Sequence, residues 1–266
     1  MDFSRRESFR LVAALPLLAY SQDRRIILRE EWGARDPNPD PHSVLYTHFH
    51  DFDLSLLDIF GVMGCFDTNM LEWLAVHHSG PGASIATVQQ IQEAHMNNDK
   101  SDIAYNWVID RDGMIYEGRF WFVMGAAVGA SFESRAQVEE HGRLVNPRES
   151  PNYGVLNICL IGDFTRSEPT VEQKDSLYWL TGFVSRHFLS IEKERVIGHK
   201  QAYLIAQERG VTLVPECETL CPGGIEGVLD EVRKRFGEEK SYKPGRDLRD
   251  YEMHFDFRER SAIRFG

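Results

Sequence analysis

A short apolar run that ends in two histidines constrains this chain of 266 residues more than any other stretch. The run covers 74–76, His77 and His78 follow it, and a Ser-Gly pair closes the segment at Gly80. An apolar run bounded by a turn is typical of a buried strand. A strand that ends in an imidazole holds the ring beside the turn, where solvent enters, so the segment is a candidate site for a metal ligand. A histidine pair at a strand end is, on its own, more often structural than ligating.

Two later segments offer ligands of the same kind. The predicted short strand 195–199 ends in His199, and Cys221 stands in a turn before the last helical pattern. Two imidazoles and one thiolate are a common zinc set, and three protein ligands leave a fourth position for water. Copper is an alternative, but a blue-copper site needs an axial Met in the same loop, and none stands between His199 and Cys221 or just after them. A cysteine-hydrolase dyad of Cys221 with one histidine is another alternative, and it leaves the second histidine unexplained.

The order of strand and helix patterns predicts the fold class. Strand-like apolar runs occur at 25–28, 72–77, 103–109, 114–117, 157–162 and 195–199. Apolar residues at helical spacing predict three helices. The first begins after residue 84, the second begins at a capping box of Thr170 and Gln173, and the third covers 225–236. Because strands and helices do not alternate strictly, we expect an α/β protein of the α+β type, with a single domain whose central mixed β-sheet is flanked by helices.

The first 21 residues differ in composition from the rest of the chain. Arg5, Arg6 and Arg10 precede or enter the apolar stretch 11–19, and small residues flank a cut site at Ser21. This layout predicts a signal peptide over 1–21, similar to the twin-arginine type, and therefore an exported protein, periplasmic or secreted. The alternative is an amphipathic helix that packs on the domain.

Charge and cysteine content narrow the expected partners. The formal net charge is −11, which argues against a nucleic-acid partner. The apolar stretch near the start is too short to span a membrane, so we expect no integral membrane span. Four cysteines in a chain of this length do not indicate a disulfide framework. We expect a monomer.

Three weakly patterned segments, 36–70, 125–153 and 201–216, are predicted insertions in a domain of 22–236. The charged residues 237–266 are predicted to form a C-terminal arm. The first insertion contains part of a binuclear zinc motif, which we interpret as coincidental because its further histidine is absent; the matching residues are His48, His50 and Asp51.

Seven short motifs occur in the order found in one known family. They are Glu31-Trp32-Gly33-Ala34-Arg35, Val76-His77-His78-Ser79, Asp102-Ile103-Ala104-Tyr105-Asn106-Trp107, Asp112-Gly113 with Tyr116-Glu117-Gly118-Arg119, Ile161-Gly162-Asp163-Phe164, Gly198-His199 and Thr219-Leu220-Cys221-Pro222-Gly223. Together they resemble the zinc-dependent N-acetylmuramoyl-L-alanine amidases. That superfamily also contains the peptidoglycan recognition proteins and the amidase-type phage lysozymes. The resemblance covers roughly 25–236.

The resemblance implies a reaction, a cofactor and a set of site residues. The implied reaction is hydrolysis of the amide between N-acetylmuramic acid and L-alanine, in peptidoglycan or muropeptides, with Zn²⁺ as cofactor. The implied metal ligands are His77, His199 and Cys221; the implied catalytic residues are Tyr105 and Thr219; and the implied substrate-binding residues are His78, Arg119 and Trp121. The alternative is a recognition module that binds muropeptide without cutting it, a class that has typically lost the cysteine ligand.

The chain departs from the family pattern in four places. The gap between His199 and Cys221 is longer than usual, so Cys217 competes for the third ligand position. Lys200 stands where the family often has Arg. Phe120 precedes Trp121 where the family has Gly, and 126–127 are alanines in a loop that often carries a histidine facing the substrate. The last two changes concern the choice of stem peptide and leave the reaction unaffected.

Overall fold

A computed structural model describes residues 26–38, 70–83, 86–98, 100–188, 191–214 and 219–236. Its strands are β1 (Ile26–Ile27), β2 (Trp73–His78), β3 (Trp107–Ile109), β4 (Ile115–Glu117), β5 (Val155–Leu160) and β6 (Val196–Gly198). Its helices are α1 (Arg29–Trp32), α2 (Val88–Met96), α3 (Phe132–His141), α4 (Val171–His187), α5 (His199–Glu208) and α6 (Glu226–Arg235). The predicted signal peptide, Cys217, the partial binuclear motif at 48–51 and the C-terminal arm lie outside the described residues.

The six strands form one sheet in the order β1-β4-β3-β5-β2-β6. β3 and β4 pair antiparallel, and the other neighbours pair in parallel. The β3–β4 turn places Gly113 at a φ of 81°, and the Asp110 carboxylate accepts hydrogen bonds from the backbone of Asp112 and Met114. The expected mixed sheet with flanking helices is confirmed.

The larger part of the core lies on one face of the sheet. β2 and β5 are apolar along most of their length because neighbours cover both of their faces and both of their edges. α4 and α6 cover this face with residues at helical spacing, as predicted; they are Leu177, Leu180, Phe183, Val184, Val228, Leu229 and Val232. Complete burial of a leucine contributes about 2 kcal/mol, so the two leucines of α4 alone contribute about 4 kcal/mol to the packing of that helix.

The opposite face is covered by α1, α2 and α5 and has smaller apolar clusters. Successive strand residues point to opposite faces, so Ala75 and His77 of β2 share this side with Asn157 and Cys159 of β5. α2 begins at a capping box of Thr87 with Gln90. The buried polar side chains of His77, near the end of β2, and of Asn157, within β5, therefore lie on this face.

Two of the predicted insertions contain helices that the sequence analysis did not anticipate. The segment 125–153, expected to be a loop, contains α3, and the segment 201–216 contains most of α5. The helical pattern in α3 is weak because its only buried residue is Ser134. α5 begins at His199, directly after the last residue of β6, so no linking residues mark its start.

Among the described residues, none of the helices combines the length and the apolar character needed to cross a membrane.

Candidate metal centre

Three side chains from distant parts of the sequence meet at the carboxyl end of the central strands. One ligand atom each from His77, His199 and Cys221 lie within 4.8 Å of one another. His77 is in β2, His199 is the first residue of α5, and Cys221 lies in the turn before α6. The structure therefore brings together the three residues that the sequence analysis selected as metal ligands.

Strand geometry separates the two adjacent histidines. His77 points to the face where His199 lies, and their ring centroids are 4.7 Å apart. His78 points to the other face, where its Nδ1 accepts a hydrogen bond from the backbone N–H of Phe164 at 3.1 Å. His78 is buried, and burial lowers its pKa. Only the first histidine of the pair is therefore placed as a ligand.

Asn157 determines which nitrogen His77 presents to the site. The Asn157 amide nitrogen donates to the Val155 carbonyl at 3.0 Å, so its oxygen faces His77 Nε2, 2.9 Å away. His77 Nε2 must carry the hydrogen in this contact, which leaves Nδ1 with a free lone pair. Burial lowers the pKa of His77 well below its usual value, so the imidazole is neutral, as a ligand requires.

His199 presents Nε2 to the site, whereas His77 presents Nδ1. Its Nε2 is buried and lacks a hydrogen-bond partner among the described residues. The imidazole hydrogen-bonds with the backbone of Val128, whose N–H is already donated to Asn152, so the Val128 carbonyl accepts from His199 Nδ1–H. Burial lowers the pKa of His199 to about 4, which keeps the ring neutral. An orphaned lone pair in a buried position fits a metal ligand.

Cys221 is the third candidate ligand, and its surroundings suit a metal-bound thiolate. Its sulfur accepts a hydrogen bond from the backbone N–H of His78 at 3.3 Å. Burial raises the pKa of the Cys221 thiol to about 12. A nucleophilic cysteine needs a lowered pKa, so the hydrolase dyad considered above does not fit this environment. A bound cation stabilises the thiolate directly, and two neutral imidazoles with one thiolate fit zinc.

Close backbone packing sets the separation between His199 and Cys221. A Cβ added at Gly198 would lie 2.6 Å from Pro222, so only glycine permits β6 to approach the turn that carries Cys221. The Lys200 N–H donates to the Cys221 carbonyl at 3.1 Å and links the start of α5 to the same turn. The ligands are thus held by main-chain contacts as well as by their own side chains.

Tyr105 lies beside the ligand cluster. Its ring centroid is 5.3 Å from that of His77, and its hydroxyl hydrogen-bonds with the side chain of Cys159. Burial raises the pKa of Tyr105 well above its usual value, and the charges of Cys159 and Cys221 act in the same direction. The phenol is therefore protonated at neutral pH and can donate a hydrogen bond.

Thr219 is also held at the centre. Its hydroxyl oxygen accepts the backbone N–H of Cys221 at 3.0 Å, and the residue is partly exposed. The hydroxyl group is thus fixed at the solvent side of the turn that carries the third ligand.

The geometry agrees with a family assignment made from the sequence. Residues 67–224, more than half of the chain, match the model of a family described as N-acetylmuramoyl-L-alanine amidase. The chain belongs to this amidase family. The three ligands, Tyr105 and Thr219 all fall within the matched residues.

Curated proteins and solved structures similar to this amidase-family chain include both recognition proteins and enzymes. Peptidoglycan-recognition protein SD of Drosophila melanogaster is 25% identical over 198 residues, which cover 72% of this chain and 83% of that protein. Peptidoglycan-recognition protein 2 of Holotrichia diomphalia is 31% identical over 113 residues, covering 40% and 50%. The solved N-acetylmuramoyl-L-alanine amidase LysC from Clostridium intestinale is 23% identical with a TM-score of 0.43, covering 62% of this chain and 88% of that chain.

Two residues predicted to bind substrate are buried and have partners within the domain. The Arg119 guanidinium is buried and donates to the carbonyls of Ile103 and Met124 and to the Ser101 hydroxyl. Trp121 is 5% exposed and packs in the core with its ring centroid 5.4 Å from that of Phe188. These side chains present little surface here, and their assignment to substrate binding stays a prediction. His78, the third predicted substrate residue, supports the site through its backbone contact with Cys221.

The residues that orient the candidate ligands were not predicted from the sequence. Asn157 lies in a strand that is otherwise apolar, and its side chain is fully buried. Asparagine is depleted in strands, and a buried amide needs partners, so its presence there was a signal of a specific contact. Val128 and Asn152 lie in the segment 125–153, where no periodicity identified them.

Proposed function

We propose that the chain is a zinc-dependent N-acetylmuramoyl-L-alanine amidase that hydrolyses the bond between N-acetylmuramic acid and L-alanine in peptidoglycan or muropeptides. The observation that carries the proposal is the clustering of His77, His199 and Cys221 ligand atoms within 4.8 Å, with Tyr105 beside them. Membership of the amidase family supports the bond type.

The ligand set is suited to hydrolysis of an amide. A bound zinc ion supplies Lewis acidity to the scissile carbonyl and to the attacking water. His77 and His199 are neutral and fixed in single tautomers by Asn157 and Val128, so no proton has to leave either ring when the metal binds. Only Cys221 gives up a proton on metal binding.

Tyr105 and Thr219 act on the substrate in this proposal. The protonated Tyr105 hydroxyl donates a hydrogen bond to the oxygen that gains negative charge as the carbonyl is attacked. The Thr219 hydroxyl, held by the Cys221 N–H, hydrogen-bonds the substrate carbonyl or the attacking water. Thr219 carries no positive charge, so most of the electrostatic stabilisation falls to the metal.

The test combines metal analysis with release of stem peptide from peptidoglycan. We expect about one zinc per chain, and release that a chelator abolishes and added zinc restores. Cys221→Ala is expected to lose metal and activity together, whereas Cys217→Ala is expected to keep both. Zinc without release would favour the alternative, a recognition module, to which several curated relatives belong by name. Absence of zinc would refute the ligand assignment.

Export is part of the proposal. It depends on the basic and apolar composition of 1–21, which lies outside the described residues. Mass analysis of the protein recovered from the periplasm or medium is expected to show a chain that begins after the predicted cut near Ser21. A full-length chain confined to the cytoplasm would refute export.

A further inference from the structure

A segment that is remote in sequence from all three ligands supports the metal centre. Val128 is fully buried in one cluster with Ile197 and Ala202, which lie on either side of His199 in the sequence, and its backbone interacts with the His199 imidazole. Because the Val128 N–H is donated to Asn152, the Val128 carbonyl is the group that faces the ring. An imidazole that donates one N–H to a fixed acceptor is held in one tautomer and one ring orientation, and its other nitrogen then faces the metal. The support that His199 receives therefore depends on what fixes the Val128 carbonyl.

Asn152 brackets the peptide unit to which that carbonyl belongs. Its Oδ1 accepts the Val128 N–H at 2.8 Å, and its Nδ2 donates to the Gly129 carbonyl at 2.7 Å. These two contacts lie on either side of the peptide that joins Val128 to Gly129. The side chain of Asn152 is buried, with the residue 5% exposed, so water does not compete for either contact.

The backbone does not fix this peptide by itself. Gly129 has a φ of 110°, a region that glycine enters freely and other residues rarely adopt. Because glycine adopts a wide range of φ and ψ, the plane of the preceding peptide can rotate unless other groups hold it. Asn152 is placed to supply that restraint from both ends of the unit.

We propose that Asn152 is a positioning residue of the metal centre, holding the Val128–Gly129 peptide so that its carbonyl keeps His199 Nε2 facing His77 and Cys221. The proposal deepens the proposed function and rests on the metal centre described above. It assigns to the segment 125–153 a part in metal binding, although none of its residues is a ligand.

Zinc affinity, measured by competition with a chelator, is the first test. Asn152→Leu removes both hydrogen bonds at similar size, and Asn152→Asp keeps the acceptor for the Val128 N–H but loses the donor to Gly129. Loss of a group that hydrogen-bonds to a metal-binding histidine typically lowers metal affinity about 10- to 100-fold. We therefore expect zinc affinity to fall about tenfold in Asn152→Leu and by a smaller factor in Asn152→Asp. The aspartate variant keeps the test informative if the leucine variant does not fold.

Ser131→Ala is the matched control. Ser131 is fully buried three residues after Val128, and its hydroxyl donates to the Glu149 carbonyl and accepts the Ser134 N–H, outside the Val128–Gly129 peptide. If general loosening of the segment weakened zinc binding, Ser131→Ala would weaken it as much as Asn152→Leu, and the proposal would be wrong. Equal affinity in wild type and both Asn152 variants would also overturn it.

A second measurement does not need the metal. Long-range proton–nitrogen correlation spectra of the metal-free protein report which nitrogen of His199 carries the hydrogen. We expect the Nδ1–H form in wild type and in Ser131→Ala, and a mixture of forms in Asn152→Leu. An unchanged single form in Asn152→Leu would refute the role of Asn152, whether or not the wild-type protein binds zinc. Failure of wild type to bind zinc would instead refute the proposed function.

Discussion

His77 and His78 are neighbours in the sequence but lie on opposite faces of the sheet. The first joins the ligand cluster, and the second packs beside Phe164. Their different roles follow from the two-residue period of a strand, so a slip of one residue in the register of β2 would exchange them. Residue identity alone does not select the ligand; the pairing of β2 with β5, in which His77 lies opposite Cys159, does.

Replacement of Tyr105 by Phe tests the assignment of the oxyanion donor. The variant is expected to keep its zinc, since the tyrosine is not among the clustered ligands, and to lose about 10²–10³ in turnover, as loss of such a donor does in other hydrolases. Zinc content and steady-state release of stem peptide are measured on the same sample. Tyr116→Phe is the control, because the Tyr116 hydroxyl donates to Asp110 in the β3–β4 hairpin. A fully active Tyr105→Phe would show that another group stabilises the oxyanion.

At the scale of elements, α2 is attached to the loop that carries Tyr105. His95, near its end, accepts the backbone N–H of Ala104 on Nδ1 at 3.0 Å, and its ring centroid is 5.3 Å from that of Tyr105. Burial lowers the pKa of His95 to about 4, and the positive charges of Lys100 and Arg119 act in the same direction. Protonation of His95 would turn its acceptor into a donor and break the contact.

This attachment predicts a stability that depends on pH. Histidine in the unfolded chain has a pKa of about 6.5, so between pH 6.5 and 4 the unfolded state binds more protons than the folded state. The free energy of unfolding is therefore highest above pH 6.5 and falls as the pH decreases towards 4. Urea unfolding of the metal-free protein at pH 7 and pH 4.5 measures this loss.

Two variants assign the pH effect to the helix. His95→Gln is expected to lose less stability than wild type between the two pH values, because glutamine does not titrate. His141→Gln, which changes an exposed histidine on α3, is expected to behave as wild type. The same loss in His95→Gln and wild type would show that other histidines account for the effect.

The elements that sequence patterns predicted are those with a strong physical signature. β2 and β5 are long apolar runs, and α4 combines a capping box with a buried stripe. α3 was missed because it buries almost nothing, and α5 because it follows β6 without a linker. The clustering of His77, His199 and Cys221 was predictable since imidazoles and thiols at strand ends and turns are chemically distinctive. Their orienting partners were not, because a backbone carbonyl such as that of Val128 has no signature in the sequence.

At the scale of the whole molecule, the ligand cluster joins three parts of the fold. β2 supplies one candidate ligand, the start of α5 the second, and the turn before α6 the third. A metal bound to all three has affinity only for the folded chain, so binding adds to the stability of the whole domain.

Removal of the metal is therefore expected to lower the melting temperature. At a free zinc concentration 100 times the Kd, zinc binding adds about 2.7 kcal/mol to the free energy of unfolding. For a domain of this size that corresponds to a decrease of about 5–10 °C when a chelator is added. Calorimetry of wild type and Cys221→Ala, each with and without chelator, measures the difference. Cys221→Ala is expected to show no decrease, and an equal decrease in both proteins would mean that the chelator acts elsewhere.

The strand order has a consequence for the folding of the chain. Among the described strands, β3 and β4 are the only neighbours in the sheet that are consecutive in the sequence; β2 meets β5 through pairs such as Trp73 with Val155, and β1 meets β4 through Ile26 with Ile115. Such pairings require long loops to close first, which slows folding. We expect the amides of the β3–β4 hairpin to be protected from hydrogen exchange earlier in refolding than those of β2. His77, His199 and Cys221 would then come together only after most of the sheet has formed.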